Sequence, residues 1–341
     1  MRRCARGLPA RLGSAPANTE HQNGSDGVPR TTSTLTSNVT DTALVFEGGG
    51  MRGAYTSAVV RTLLNDGIHI DYVAGVSAGG THTLNYLSRD ERRAKRSFVD
   101  LAADPNFGDL RTFLRGKGMF NAQYIYEQTG LPGQALPFDW DTYAANPARM
   151  RIGAVRCDTG EHVYWGRQDA PTFDALVRRL RASSTMPVVM PVAQVDGVDY
   201  VDGALGPSGG IPIDAAMSDG FDRYLVVLSQ ERSFVKKPER APAFFRRYFR
   251  RYPAVAEAIL TRYERYNATR EQVWELERAG KAMVFVPDAM PVGNGERNVA
   301  KLQAAHDLGL DQAERELPRW REFLGLDGTR RPPASRSRGR R

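Results

Sequence analysis

What most restricts the folding of this chain is one pattern that occurs twice in its first ninety residues: a short apolar run, a glycine-rich turn, then a stretch with helical spacing. Thr42, Ala43, Leu44, Val45 and Phe46 lead into Gly48-Gly49-Gly50. Ala54, Ala58, Val59 and Leu63 then share one face of a helix predicted over residues 54–64, closed by Asn65-Asp66-Gly67. Tyr72-Val73-Ala74 lead into Gly75-Val76-Ser77-Ala78-Gly79-Gly80, and a second helix is predicted to about Leu87. Strand, turn and helix in this succession begin an α/β sheet with parallel strands.

Downstream, a charged surface helix is predicted over residues 89–103, and a loop-rich stretch over 104–148 with Pro105, Pro132, Pro137 and Pro147. Met150 to Cys157 reads as a third strand, turned by Asp158-Thr159-Gly160 into a hairpin with residues 162–165. Residues 173–180 read as helix. Residues 188–195 and 198–201 read as a hairpin around Asp196-Gly197, and 224–228 as another buried strand. After Pro253 a long helix is predicted to about Ala279, then a strand at 283–286 and two helices up to Leu324. No internal repeat and no linker within this span is visible. Residues 41–326 are therefore expected to form one domain, between disordered segments 1–40 and 327–341.

The net charge is +8, of which residues 1–40 carry +3 and residues 330–341 carry +6, so residues 41–329 come to −1. A nearly neutral folded part argues against a nucleic-acid partner. Two cysteines, Cys4 and Cys157, make neither a disulfide framework nor a metal cluster, which suits a reducing compartment. The basic, acid-poor start resembles a transit peptide weakly, and a disordered extension is preferred. No apolar run of about 18 residues predicts a membrane span.

Gly75-Val76-Ser77-Ala78-Gly79 matches G-x-S-x-G between a strand and a helix. A sharp strand-to-helix turn strains the central residue, needs small neighbours, and presents its hydroxyl at a helix N-terminus that favours developing negative charge. The string alone also fits a serine capping a helix. Its flanking elements favour a nucleophile at Ser77, with Gly75 and Gly79 as the elbow glycines.

Gly48-Gly49-Gly50-Met51-Arg52-Gly53 matches G-x-G-x-x-G. A dinucleotide site would need an acid at the carboxyl end of the second strand, where Ala74-Gly75-Val76-Ser77 stand instead. The alternatives are a tight structural turn or an oxyanion hole built from bare amides, with Arg52 adding positive charge. Two glycine turns on neighbouring strands, one carrying a serine, favour the oxyanion hole.

A serine nucleophile needs a base. His21 falls in the N-terminal extension, His82 lies five residues past Ser77 on the same helix, His69 precedes the elbow strand and His162 is in a hairpin. His306 fits the chain order of an α/β-hydrolase triad, but nothing around it marks a catalytic loop. Asp202, ending an apolar strand before Gly203-Ala204, is the better candidate. Taken alone, it reads as an ordinary Asp-Gly turn.

The three motifs in order, residues 48–53, 75–79 and Asp202-Gly203-Ala204, resemble the bacterial branch of the patatin-like phospholipase family. The Arg181-Ala182-Ser183-Ser184-Thr185-Met186-Pro187 segment, Asp219-Gly220 and the Arg262 to Asn267 run extend that resemblance to roughly residues 42–310. It implies a three-layer α/β/α fold with a mostly parallel sheet and a nucleophile elbow. It further implies a serine acyl hydrolase without histidine or cofactor, in which Ser77 attacks a lipid ester, Asp202 takes its proton, and the amides of Gly49, Gly50 and Met51 hold the oxyanion. The loop at residues 206–210 is longer than in many members. A non-catalytic lipid-binding relative and a His306-dependent hydrolase are the competing expectations.

Residues 231–252 hold eight basic residues against Glu231 and Glu239, interleaved with Phe234, Phe244, Phe245, Tyr248, Phe249 and Tyr252. They are expected to touch a membrane surface or to pack on the core as a solvated basic segment. The expected location is cytoplasmic and peripheral at the membrane, and oligomeric state is not legible.

Overall fold

A computed structural model describes residues 35–328 apart from 110, 111, 114 and 117. Most of the two segments expected to be disordered, with Cys4 and His21, lies outside the described residues. Residues 35–40 are described, and they are tied down. Val39 is buried and bridges Ile70, and the Asn38 amide donates to the His69 carbonyl at 2.9 Å.

Eight strands form one sheet: β1 (Ala43–Phe46), β2 (Tyr72–Val76), β3 (Arg149–Arg156), β4 (His162–Trp165), β5 (Ala193–Val195), β6 (Val198–Asp202), β7 (Tyr224–Val227) and β8 (Ala282–Phe285). The path runs β5-β6-β3-β2-β1-β7-β8, with β4 paired to β3. Pairs among β3, β2, β1, β7 and β8 are parallel, and those involving β4, β5 and β6 are antiparallel. β1, β2 and β7 are buried along their whole length, as strands covered on both faces must be.

Alternation within β1 shows the two cores. Leu44 and Phe46 join a cluster with Val59, Leu63, Leu302 and Trp320, from α1 (Gly53–Asn65) and a C-terminal helix. Ala43 and Val45 face Ile213, Tyr266 and Val273 on the other side. The fold is therefore the expected α/β/α arrangement with a mostly parallel sheet.

Three local expectations are corrected. Residues 89–103 are not one surface helix: α3 (Glu91–Arg96) ends early, and Phe98, Val99 and Leu101 turn inward and are buried. Residues 188–192 are turn rather than strand, with Val188 at φ 71°, so only Ala193–Val195 pairs with β6. The two C-terminal helices are one, Val299–Phe323, which carries Pro318 without breaking because tertiary packing of Trp320 and Leu324 overrides the local penalty.

Candidate active site

β3 brings the site together. Its residues Ile152 to Val155 pair with β4 along one edge. β2 pairs with Arg149 to Gly153 and β6 with Ala154 to Arg156, so both must share the opposite edge. They run towards each other and meet end to end: Val76 stops opposite Gly153, and Asp202 stops opposite Ala154. Ser77 follows Val76 immediately, so serine and carboxylate converge at one point of one strand.

Small residues permit this convergence. A Cβ at Gly203 would lie 2.2 Å from the Gly153 carbonyl oxygen, and one at Gly75 would lie 2.1 Å from that of Gly79. Ser77 has φ 56° and ψ −121°, a positive-φ conformation costing about 1–3 kcal/mol for a residue with a side chain. The Ser77 amide donates to Ser183 Oγ at 3.0 Å, and the Asp202 amide donates to the Thr185 carbonyl at 2.9 Å. One segment, residues 183–185, thus braces both candidate catalytic residues.

The glycine loop narrows once its amides are followed. Gly48 donates to the Gly210 carbonyl at 3.0 Å, Met51 to Asn294 at 3.0 Å, and Arg52 to Gly49 at 3.2 Å. The Gly53 amide is used at the start of α1, and a Cβ there would strike the Phe98 ring. Among the described residues, the amides of Gly49 and Gly50 alone in this loop donate to no other backbone group. Met51 was expected to contribute, but its amide is engaged by Asn294. A Cβ at Gly48 would sit 3.3 Å from Ser77 Cβ, so the loop lies directly against the serine. Buried Glu47 anchors it, accepting from the Ser229 amide at 2.6 Å and the Tyr266 hydroxyl at 2.8 Å. Arg52 donates from Nε to the Ser229 carbonyl at 3.0 Å; burial pulls its pKa down while Glu47 opposes this.

Asp202 is 4 % exposed. Burial raises its pKa above the ordinary aspartate value, and the Ala204 amide, nearby Arg262 and a side-chain hydrogen bond with Ser77 each act to lower it. Arg262, on α8 (Pro253–Arg278), donates from Nε to the carbonyls of Ala204 at 2.9 Å and Gly209 at 3.1 Å. A proton acceptor works only when ionised, so a base at this position would lose its activity as pH falls through the raised pKa. Arg262→Gln removes a cationic influence that favours the carboxylate. The acid limb of a kcat/KM profile is expected to move to higher pH in that variant, and an unmoved limb would detach Asp202 from turnover.

His306 and His82 make their contacts with α1 rather than with Ser77. His306 Nδ1 lies 2.9 Å from Ser57 Oγ and 3.3 Å from the Ala54 carbonyl, both on α1, and burial pushes its pKa down to about 4. His82 contacts Thr56 Oγ1 at 2.8 Å between the Phe46 and Phe98 rings.

Two pockets meet at Ser77. One is apolar and follows α2 (Ala78–Leu87) along Ser77, Ala78, Thr81 and Leu84, walled opposite by residues such as Phe98, Phe138 and Leu180. The other is open and more polar, lined by Arg52, Asp202, Glu239 and Arg262. Sequence reasoning missed the apolar wall, Asn294 and Glu47. The wall comes from the stretch read as surface helix and loops, whose only signal was Phe98, Leu101 and Phe107 among charges.

The family described as patatin-like phospholipase matches residues 44–217, and a domain of unknown function matches residues 252–325. An uncharacterized protein of Escherichia coli, YjjU, is 26% identical over 207 residues, covering 60% of this chain and 55% of that protein. A cGAMP-activated phospholipase of Pseudomonas aeruginosa is 27% identical over 174 residues, covering 48% of this chain and 52% of that one. The chain thus spans about half the length of these relatives. The crystal structure of VipD from Legionella pneumophila aligns with a TM-score of 0.44 at 12% identity, over 84% of this chain and 67% of that one.

Proposed function

Because the chain belongs to the patatin-like phospholipase family, we propose that it hydrolyses carboxylic esters of lipids, with Ser77 as nucleophile and Asp202 as its base. Membership supports a lipase- or phospholipase-type hydrolase. The observation that carries the finer reading is the end-to-end meeting of β2 and β6, which sets Ser77 against a buried carboxylate beside the amides of Gly49 and Gly50.

The chemistry follows from those groups. Ser77 Oγ attacks the ester carbonyl as its proton passes to Asp202. The oxyanion is held by the Gly49 and Gly50 amides, aided by the α2 N-terminus. Collapse of the tetrahedral intermediate expels the alcohol, which takes the proton from Asp202 and leaves an acyl-serine. Water then attacks, giving its proton to Asp202, and the carboxylic acid leaves as Ser77 is re-protonated. The apolar pocket along α2 takes the acyl chain, and the open polar mouth takes the alcohol side. Parallel assays of wild type, Ser77→Ala and Asp202→Asn on p-nitrophenyl acyl esters test this; an active Ser77→Ala would overturn it.

Access to lipid fits α7 (Pro242–Tyr248) at the mouth, where Phe245 lines the open pocket. Phe244 and Tyr248 are 48 % and 54 % exposed beside Arg246 and Arg247. Elsewhere in the stretch Phe249 is buried and Phe234 meets the Tyr266 ring, while the basic residues stay largely exposed, Arg232 pairing with Glu277 at the surface. Among the described residues no helix is long and apolar enough to cross a membrane. Contact through this face would be peripheral. Replacing Arg246, Arg247, Arg250 and Arg251 by Gln is expected to weaken co-sedimentation with anionic liposomes at least about tenfold, at about 1 kcal/mol per basic residue. Equal binding would sink the proposal.

A further inference from the structure

The apolar pocket contains a group that an ordinary fatty acyl chain has no use for. Arg93, on α3, lines it together with Ser97 and Phe98. Its Nη1 donates to Asn85 Oδ1, its Nε to the Leu136 carbonyl at 3.4 Å, and its guanidinium lies 5.1 Å from the centre of the Phe138 ring. A guanidinium has five N–H donors, so three have no protein acceptor here. Among the described residues no carboxylate lies within ion-pair distance of it. The Asp90 carboxylate caps α3 by accepting from the Arg93 backbone amide at 2.8 Å. Burial lowers the Arg93 pKa to about 10, with Asp90 opposing and Arg96 reinforcing the shift. A half-buried cation with unused donors at the wall of an apolar pocket is costly unless something else pairs with it.

Its position fixes what could pair. Ser77, Ala78, Thr81 and Leu84 form the α2 wall of the pocket, and the next residue, Asn85, holds the guanidinium. Eight residues of helix separate Ser77 from Asn85, roughly 12 Å at about 1.5 Å per residue. An alkyl chain with C–C bonds of about 1.52 Å at tetrahedral angles advances roughly 1.25 Å per carbon, so roughly nine or ten carbons span the distance. Resting on the hydrolase reading of Ser77, we propose that the pocket selects acyl chains of about eight to ten carbons that end in a carboxylate, which Arg93 receives. The planar fork of a guanidinium accommodates a carboxylate through two parallel hydrogen bonds. Arg93 is half-buried, so its guanidinium has less water to give up than an exposed one would when a carboxylate arrives. A terminal methyl group there would instead strip the water from three donors and return nothing.

The test compares two series of p-nitrophenyl esters from six to fourteen carbons, one with plain acyl chains and one with an ω-carboxylate. In wild type, the ratio of kcat/KM for ω-carboxy over plain ester is expected to peak near eight to ten carbons at about tenfold or more, the scale of a charged hydrogen bond. Arg93→Met is expected to lower that ratio about tenfold or more, and Arg93→Lys to restore part of it. A ratio at or below one at every length in wild type overturns the proposal without recourse to any variant. So does a peak that Arg93→Met leaves unchanged. Ser77→Ala runs alongside: continued turnover in that variant would defeat the hydrolase reading itself, whereas a dead Ser77→Ala with a flat ratio defeats only the Arg93 proposal.

Discussion

Ser77→Ala is expected to lower kcat/KM on p-nitrophenyl acyl esters by about ten-thousandfold or more, since it removes the hydroxyl proposed to form the acyl intermediate. Asp202→Asn is expected to lose about a hundredfold to ten-thousandfold, the range for a positioned general base. The two should part company in stability. The folded pKa of Asp202 is raised above its unfolded value by burial, so ionisation of this group weighs against folding as pH rises through that interval. Asparagine keeps an oxygen to accept from the Ala204 amide and carries no charge. Asp202→Asn should therefore melt at or above the wild-type temperature at neutral pH while being nearly dead. His306→Ala should remain active per folded molecule, because its ring is engaged with Ser57. An inactive His306→Ala beside an active Asp202→Asn would replace the dyad with a histidine mechanism.

Gly79→Ala is expected to be among the most damaging single methyl groups that the described residues could receive. Its Cβ would lie 2.2 Å from the Phe46 carbonyl oxygen and 2.9 Å from that of Glu47, and neither backbone atom can swing aside as a side chain would. Overpacking costs about 1–3 kcal/mol and sometimes more, and each kcal/mol moves the midpoint of a domain this size by roughly 2–4 °C. A fall of roughly 5–12 °C in Tm is expected. Activity should fall further than stability, because Glu47 and Gly48 begin the loop that lies against Ser77, and displacements of an ångström can cost about a hundredfold. Gly67→Ala is the comparison: it has φ 66° but open space around it, so about 1 kcal/mol of strain and a few degrees are expected. Equal shifts for the two variants would show that the elbow is not tightly packed against β1.

The elbow and the glycine turn were legible because their constraints are local. Gly75 must be small because Gly79 and Thr83 crowd it from within the same turn, and period and punctuation reveal strand, turn and helix, although the backbone that restricts Gly79 belongs to Phe46 and Glu47. Asp202 was legible largely by resemblance and by the lack of a convincing histidine. Its strand runs antiparallel to β3 and meets β2 end on, and no pattern in residues 198–204 states that register. The same limit hid Asn294, which engages the Met51 amide from more than 240 residues away, and Glu47, whose partners Ser229 and Tyr266 are equally remote. The pocket wall failed for another reason. Charges gave a surface helix over residues 89–103 and prolines gave loops over 104–148, while the inward turn of Phe98 and Leu101 depends on where α1 and α2 leave space. The final helix, expected as two, is one, and it runs through Pro318 with Trp320 buried beyond it.

The meeting of β2 and β6 on one edge of β3 also orders events in time. Ser77 and the glycine loop at residues 48–53 follow neighbouring central strands of nearby sequence. The carboxylate arrives on a hairpin, β5 with β6, that closes the far end of the sheet. Peripheral hairpins open at lower free energy than central strands. When this one opens, the base leaves while the elbow stays folded. Warming would then silence the molecule ahead of its cooperative melting, and cooling would restore it as fast as a hairpin closes, in microseconds rather than the far longer time a parallel sheet takes to assemble.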